Sequence, residues 1–469
     1  IRVFAQRLDL KEEDVIIPKH PQLMIAYGAA LAYENMFAGK EENSTTYEKL
    51  VDLLDEVCKT KVIHTENNES RPFFETEEDY KKFKNRHPKI EIKKPVFKSG
   101  DVIHAYLGID SGSTTTKFVL LSEDNQIIDS FYAPNEGDPL VVAKKALIQM
   151  RNKFRDKGVI LDIIATGSTG YGELLFSKAF STECHIVETV AHAKATNQYE
   201  KDASFILDIG GQDMKAIWLD HGIITNIVVN EACSSGCGSF LENFASSLHI
   251  PVEDIQKQAF ASKEPAVLGS RCTVFMNSGI VTEQRNGKLP ADIMAGLCRS
   301  IIENVFTKVI RISNVDNLGD KIIVQGGTFQ NDAVLCALEQ YIGKEVKRAP
   351  YPGIMGAIGA ALTAKEQAKK PDFKRTFIGL DALDDFTCTY EANMPPFCMN
   401  HCKRTIVRFP NGKTWVTNNR CERGEIVGDP KDDKVKKLLK EKKEARKIPN
   451  LFDYREKLLF KDYEIIEAA

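Results

Sequence analysis

At 469 residues the chain is long enough for two to four domains, and 43% hydrophobic content supplies a full core. With 63 basic against 66 acidic residues the net charge is −3, so no overall field favours nucleic acid or an anionic membrane, and no uncharged apolar run is long enough to cross a bilayer. Eleven cysteines are too sparse for a disulfide scaffold. With no signal-peptide pattern at the start, they read as reduced thiols or metal ligands in the cytoplasm.

The chain starts on Ile1 rather than methionine, and an internal repeat points to a fragment. HPQLMIAYGAALAYE, from His20, matches YPGIMGAIGAALTAK, from Tyr351, with Pro21 on Pro352, Met24 on Met355 and Gly28 on Gly359. Residues 1–36 therefore read as the last strand and helix of an earlier copy of the domain that follows. Residues 37–104 read as a polar linker region. It contains a short amphipathic helix in EENSTTYEKLVDLLDEVCKT and then irregular surface chain with room for one further helix.

From residue 105 to 369 strand and helix patterns alternate, which predicts an α/β domain with mixed sheets. Strands are expected at Tyr106–Asp110, Lys117–Leu121, Ile127–Tyr132, Ile163–Thr166, Phe205–Ile209, Met214–Leu219, Ile223–Val229 and Lys321–Val324. Helices are expected at Pro139–Phe154, Gly238–Ser247, Pro251–Phe260, Thr273–Glu283, Pro290–Arg311 and Asp332–Ile342. His192, in ETVAHAKA, is a lone histidine at a helix start and reads as structural.

Three glycine turns stand out. LGIDSGSTTTK ends a buried strand at Asp110 and returns through Gly112, Ser113 and Thr114 to Lys117; LDIGGQDMK repeats the device at Asp208, Gly210, Gly211, Gln212 and Asp213. VQGGTFQND places Gly326 and Gly327 between a strand and a helix. Glycine lets backbone approach an anion, while hydroxyls and turn N–H groups donate to phosphate oxygens. Any one such turn is most often only a hairpin; three in this order are a different matter.

Cys233 in NEACSSGCGSF and Cys272 in LGSRCTVFMNSG lie just ahead of expected helices, whose N-termini favour thiolates. Taken alone, both also suit buried, inert core positions. Cys388, Cys398, Cys402 and Cys421 form a second group, with a knuckle-like C-x3-C beside His401 and a following hairpin, suited to zinc or an iron–sulfur cluster. Packing or surface cysteines are the alternative there. The run KDDKVKKLLKEKKEARK reads as a solvated helix.

The order DxGSTTTK, DIGGQD, GG before a helix and GAIGAAL resembles the actin-like ATPase superfamily. DIGGQDMK, NEACSSGCG, SRCTVF and ATGSTGYG resemble in particular the activators of 2-hydroxyacyl-CoA dehydratases and the ATPase subunits of benzoyl-CoA reductases, in a large form with two ATPase copies. The resemblance covers about Tyr106–Lys365 and the remnant upstream. It implies two lobes clamping ATP or ADP, with Asp110 and Asp208 holding hydrated Mg2+. Ser113, Thr114, Lys117, Gly210 and Gly211, with Gly112 in the turn, would meet the phosphates, and Gly326 and Gly327 the adenosine. Gln212 or Asp213 would position the attacking water.

It further implies a [4Fe–4S] cluster ligated by Cys233 and Cys272, with four thiolates supplied by a homodimer or by an intrachain pair of copies. Cys237 departs from the activators, where a small hydroxyl residue is expected. The implied function is an ATP-driven, low-potential electron donor. It would take electrons from ferredoxin or flavodoxin and pass them to a dehydratase or reductase acting on a CoA thioester. A small-molecule kinase and a nucleotide-switched assembly protein without iron are the rival readings. Residues 370–469 are expected to begin a further cysteine-containing domain with a charged helical tail.

Overall fold

The computed structural model describes residues 15, 18–37, 49–52, 70–230, 236–312, 314–397 and 402–445. The chain divides into two compact units, 1–68 and 69–469. In the first, a 3-10 turn at Pro21–Leu23 runs into helix α1, Met24–Phe37. The repeated sequence in the second unit builds the same pair, a 3-10 turn at Pro352–Ile354 and a helix at Met355–Ala368. The preceding residues share a backbone: φ −132°, ψ 69° at His20 and φ −132°, ψ 66° at Tyr351. The amphipathic helix expected after α1 and the strand expected before it lie largely outside the described residues.

The second unit opens with α2, Glu77–Arg86, capped by the Thr76 side chain accepting from the Asp79 N–H. A first sheet follows. Strands β1 (Val102–Ser111), β2 (Thr115–Leu121) and β3 (Ile127–Pro134) form an antiparallel meander. Helix α3 (Pro139–Arg155) starts on Asp138, which accepts from the Leu140 and Val141 N–H groups, with Pro139 ideal at the first helical position. Strand β4 (Ile160–Thr169), helix α4 (Glu173–Phe180) and strand β5 (Cys184–His185) complete the order β3-β2-β1-β4-β5.

Helix α5 (Glu188–Tyr199) leads to a second sheet of the same topology. Strands β6 (Phe205–Ile209), β7 (Met214–Asp220) and β8 (Ile223–Asn230) form its meander. Helices α6 (Gly238–Ser247), α7 (Ile255–Ala261), α8 (Thr273–Arg285) and α9 (Pro290–Asn304) then pack together. Strand β9 (Ile322–Gln325), helix α10 (Asp332–Ile342) and strand β10 (Lys347–Arg348) give the order β10-β9-β6-β7-β8. Two lobes built on one plan, each a meander followed by two parallel strands, define the actin-like architecture expected from the motifs. The helix expected at Pro251–Phe260 is broken into a 3-10 turn and α7, and the one at Pro290–Arg311 turns π-helical at Val305–Ile310.

The repeat helix, α11 (Met355–Ala368), packs against β1, β2, β4 and α5. Its small residues are required by that contact: a β-carbon on Gly359 would run into the backbone carbonyl of Ala191. In the first unit a β-carbon on the corresponding Gly28 would meet nothing within 4 Å outside its own helix among the described residues.

The segment read as irregular surface chain is a strap across both lobes. Phe73 and Phe83 are buried in the core of the second lobe. Lys84 pairs with buried Asp332 at 2.6 Å, and Arg86 and His87 reach Glu339 at 2.5 and 2.9 Å. Beyond Ile92, Lys94 pairs with Asp129 of the first lobe, and Phe97 packs on Phe154. Aromatic residues interleaved with charge gave no single period, so only the partner surface reveals the role.

After α11, strands β11 (Thr389–Asn393), β12 (Arg404–Arg408) and β13 (Thr414–Thr417) form a small antiparallel sheet, one strand more than the expected hairpin. Phe386, Val407 and Phe409 join the core of the first lobe, and α12 (Asp433–Ala445) supplies the charged helix. No helix among the described residues is long and apolar enough to cross a membrane.

Candidate nucleotide site

The two hairpins at the strand ends are the same device used twice. In the first, Asp110 faces Lys117 across the β1–β2 ladder and accepts from its ammonium at 3.1 Å, while the Gly112 N–H closes the turn on the Thr115 carbonyl at 3.0 Å. In the second, Asp208 faces Lys215, and the Gly210 N–H closes on the Asp213 carbonyl at 3.0 Å. The tips approach one another: a β-carbon on Gly211 would fall 2.5 Å from the Thr114 hydroxyl. Ser113 and Gln212 are exposed at the tips. Burial alone would lower the lysines, but Asp110 beside Lys117, and Asp208, Glu188 and Asp213 around Lys215, hold both ammonium groups well above the usual range.

Asp110 and Asp208 are both buried, and each leaves one carboxylate oxygen, Oδ1, with no hydrogen-bond partner among the described residues. A buried, unpaired carboxylate oxygen is costly unless a cation or a ligand meets it. Both residues therefore suit hydrated Mg2+, which takes carboxylate, water and phosphate oxygens.

One residue here, Glu188, was not singled out from sequence, and a second, His192, was read as structural. Helix α5 carries Glu188 and His192 one turn apart, on one face. Glu188 accepts from Lys215 at 3.0 Å, and His192 Nε2 lies 3.5 Å from Glu188 and 3.7 Å from Asp208. The ligand atoms of Glu188, His192 and Asp208 all lie within 4.8 Å of one another. His192, read as structural, thus lies beside the carboxylates of the candidate site. The Thr196 hydroxyl donates to Gln325 Oε1 at 3.1 Å, which turns the Gln325 amide N–H to His192 Nδ1 at 2.8 Å. So assigned, the imidazole carries its proton on Nε2, facing the carboxylates. Burial would push His192 down, but Asp208 and Glu188 hold it above its ordinary value. Burial would likewise raise Glu188, and His192 with Lys215 overcome this and keep it ionised. Asp213 turns back onto Lys215 at 2.7 Å, and burial is the main cause that raises its carboxyl.

The third glycine turn completes the cleft. Gly326 has φ +93°, a conformation that favours glycine, and its N–H donates to the Pro352 carbonyl at 2.8 Å. Gly211, Gly238, Leu241, Gln256, Gly327 and Asn331 are among the residues lining a 430 Å³ cavity beside the hairpins, of a size for a nucleoside.

The cysteine segments are tied to this cleft. Cys233 lies outside the described residues, but the segment that follows it enters α6, whose first N–H groups, on Gly238 and Ser239, donate to the Gly210 and Gly211 carbonyls at 2.9 and 2.8 Å. Cys272 is half-buried at the N-cap of α8. Its loop is held by α9, with Ser300 donating to the Gly269 carbonyl at 2.7 Å and Asn304 to the Arg271 carbonyl at 3.2 Å. A β-carbon on Gly236 would touch Val305 at 3.1 Å, so both segments meet the same end of α9. A half-buried thiol at a helix N-terminus is suited to metal ligation. Cys237 is fully buried in the second-lobe core, as a packing residue.

The C-terminal cysteines do not all come together. The register pairs Thr389 with Arg408 and Asn393 with Arg404, so Cys388, next to Thr389, sits at one end of the small sheet. Cys402, two residues before Arg404, precedes the opposite end. Cys421 follows β13, whose Thr417 pairs with Thr405 at that same opposite end. Cys398 and His401 lie outside the described residues.

The paired lobes, the two aspartate–lysine hairpins and the glycine-lined cavity define an actin-like ATPase. Residues 107–364 match the BadF/BadG/BcrA/BcrD ATPase family, and the chain belongs to that family. It is 32% identical over 267 residues, 56% of this chain and 98% of the relative, to the (R)-2-hydroxyglutaryl-CoA dehydratase activating ATPase of Acidaminococcus fermentans. It is 33% identical over 266 residues, 56% of this chain and 98% of the relative, to the activator of lactoyl-CoA dehydratase of Anaerotignum propionicum. Among solved structures, the activator of the 2-hydroxyisocaproyl-CoA dehydratase from Clostridium difficile with bound ADPNP superposes with a TM-score of 0.51 at 28% identity, over 58% of this chain and 99% of that one.

Proposed function

We propose that this chain hydrolyses ATP to drive low-potential electron transfer to a dehydratase or reductase acting on a CoA thioester. The observation that carries the ATPase reading is the pair of buried carboxylate oxygens, one from each lobe, that have no partner among the described residues, at Asp110 and Asp208. In this reading Asp110 and Asp208 hold hydrated Mg2+, and Lys117 with the turn N–H groups compensates phosphate charge, which is what phosphoryl transfer needs most. Glu188, kept ionised by Lys215, accepts the proton of the attacking water as the terminal P–O bond breaks, and His192 orients that water through Nε2–H. Gln212 and Asp213 remain the alternatives for positioning that water; Glu188 and Asp213 both meet Lys215, at 3.0 and 2.7 Å.

The electron-transfer half rests on Cys272, on the attachment of the Cys233 segment to the phosphate hairpin, and on relatives that activate CoA-ester dehydratases. Cys233 and Cys272 would hold a [4Fe–4S] cluster, which supplies one-electron reduction at low potential when bound. The chain's own contribution is mechanical: α6 is capped by the hairpin that meets the phosphates, so movement of that hairpin moves the cysteine segment. A reduced ferredoxin or flavodoxin suits the electron source.

The test is iron and sulfide content, with an EPR spectrum after reduction, on protein purified without oxygen. About four irons per pair of Cys233/Cys272 motifs, with a signal that changes on adding ATP, is the expected result. ATP turnover without iron would instead leave an actin-like kinase or nucleotide switch.

A further inference from the structure

The strap lies outside residues 107–364, which match the family, yet it reaches the nucleotide cleft. Lys89 lines the 430 Å³ cavity together with Gly211 of the second phosphate hairpin and Gly327 of the third glycine turn. It also lines a 640 Å³ cavity on the other side, and it shares both walls with Tyr132 and Gln330. Tyr132 links the two parts of the cleft: its ring lies 5.9 Å below the Lys117 ammonium, and a β-carbon on Gly327 would fall 2.9 Å from its hydroxyl.

The strap is anchored on either side of Lys89, by Lys84 on Asp332, Arg86 and His87 on Glu339, and Lys94 on Asp129. Arg348 adds a hydrogen bond to the His87 carbonyl at 2.9 Å. These anchoring side chains are all paired. Lys89, held between them, makes no ion pair or hydrogen bond among the described residues, and it faces a cavity bordered by a phosphate-binding turn.

We propose that Lys89 is a nucleotide-binding residue: the strap forms an outer wall of the site and brings its ammonium to the polyphosphate of ATP or ADP. This rests on the nucleotide reading above and adds a contact that the matched family region does not contain. The cation meets phosphate charge, so its contribution belongs to ATP and ADP and not to adenosine.

The experiment is calorimetric titration of the full chain with Mg-ATP, Mg-ADP and adenosine. Lys89→Ala should weaken ATP and ADP about three- to tenfold, the range for a partly exposed charge contact, and leave adenosine unchanged. Lys89→Arg should restore binding. Lys93→Ala, which removes a strap cation lining neither cavity, should match the wild type. Unchanged ATP and ADP affinity in Lys89→Ala would overturn the contact, as would an equal loss in Lys93→Ala or an equal loss for adenosine. A wild-type chain that binds no ATP would overturn the nucleotide reading and this contact with it.

Discussion

Gly356 leaves no room for a side chain beside Asp110: a β-carbon there would fall 2.5 Å from the carboxylate Oδ2 and 3.4 Å from His192 Nε2. The repeat helix α11 thus sets the position of the first-lobe carboxylate from behind. Gly356→Ala should displace Asp110 by overpacking, an effect of about 1–3 kcal/mol. That is a cost in folding stability; ATP hydrolysis should fall as well, by about tenfold for each 1.4 kcal/mol of transition-state stabilisation that the displaced carboxylate no longer supplies. A steady-state phosphate-release assay checks this, and undiminished turnover would show that Asp110 does not need this placement.

Glu188→Gln keeps size and hydrogen bonding but removes the proton acceptor. Turnover should drop roughly 10²–10⁴-fold, the span of general base catalysis, with ATP affinity within about twofold. Single-turnover kinetics with a parallel binding titration separate the two effects. Wild-type turnover would return the water-positioning role to Gln212 or Asp213.

Cys272→Ser and Cys237→Ser should behave oppositely. The first should lose iron with an unchanged melting temperature, because its thiol is half-buried at a helix start. The second places a hydroxyl in the core of the second lobe, at a cost of about 1–3 kcal/mol, and should lower the melting temperature while keeping iron. Iron analysis and thermal unfolding decide the matter; a full iron complement in Cys272→Ser would remove that residue as a ligand.

The strap anchor gives the second lobe an acid sensitivity. Burial alone would raise the Asp332 carboxyl, but hydrogen bonds from Lys84 and Arg348 hold it below its ordinary value of 3.8. A folded pKa below the unfolded one contributes stability that is present above the ordinary value and is lost as pH falls through the lower folded value. Asp332→Asn should therefore cost about 3–5 kcal/mol at neutral pH, by leaving buried Arg348 uncompensated. It should also flatten the fall in stability below about pH 4. Denaturant midpoints from pH 3 to 7 test this, and an acid limb as steep as in the wild type would exclude Asp332 as its source.

The hairpins were legible because strand, glycine turn and strand are local: Asp110 and Lys117, like Asp208 and Lys215, meet across a single ladder. Glu188 and His192 carried a weaker signal, the one-turn spacing that puts both on one helix face, and nothing in α5 itself says that Asp208 lies opposite. The strap could not be read, since Lys84 and Asp332, or Arg86 and Glu339, are partners from distant stretches of chain. The C-terminal cysteines looked clustered by spacing alone, whereas strand register sends Cys388 away from Cys402. Short-range chemistry was visible in the sequence, and long-range pairing was not.

Between Lys84 and Lys94 the chain holds one last helical turn and then no helix or strand. Fully extended, those ten residues reach no further than roughly 35 Å. That contour length, extended by the reach of the Lys84 and Lys94 side chains, is a ceiling on how far Asp332 in one lobe and Asp129 in the other can separate while both ion pairs hold. In the proposed ATPase cycle the strap would therefore limit how far the lobes part, and adding or deleting residues on the Lys94 side of Lys89 would reset that limit.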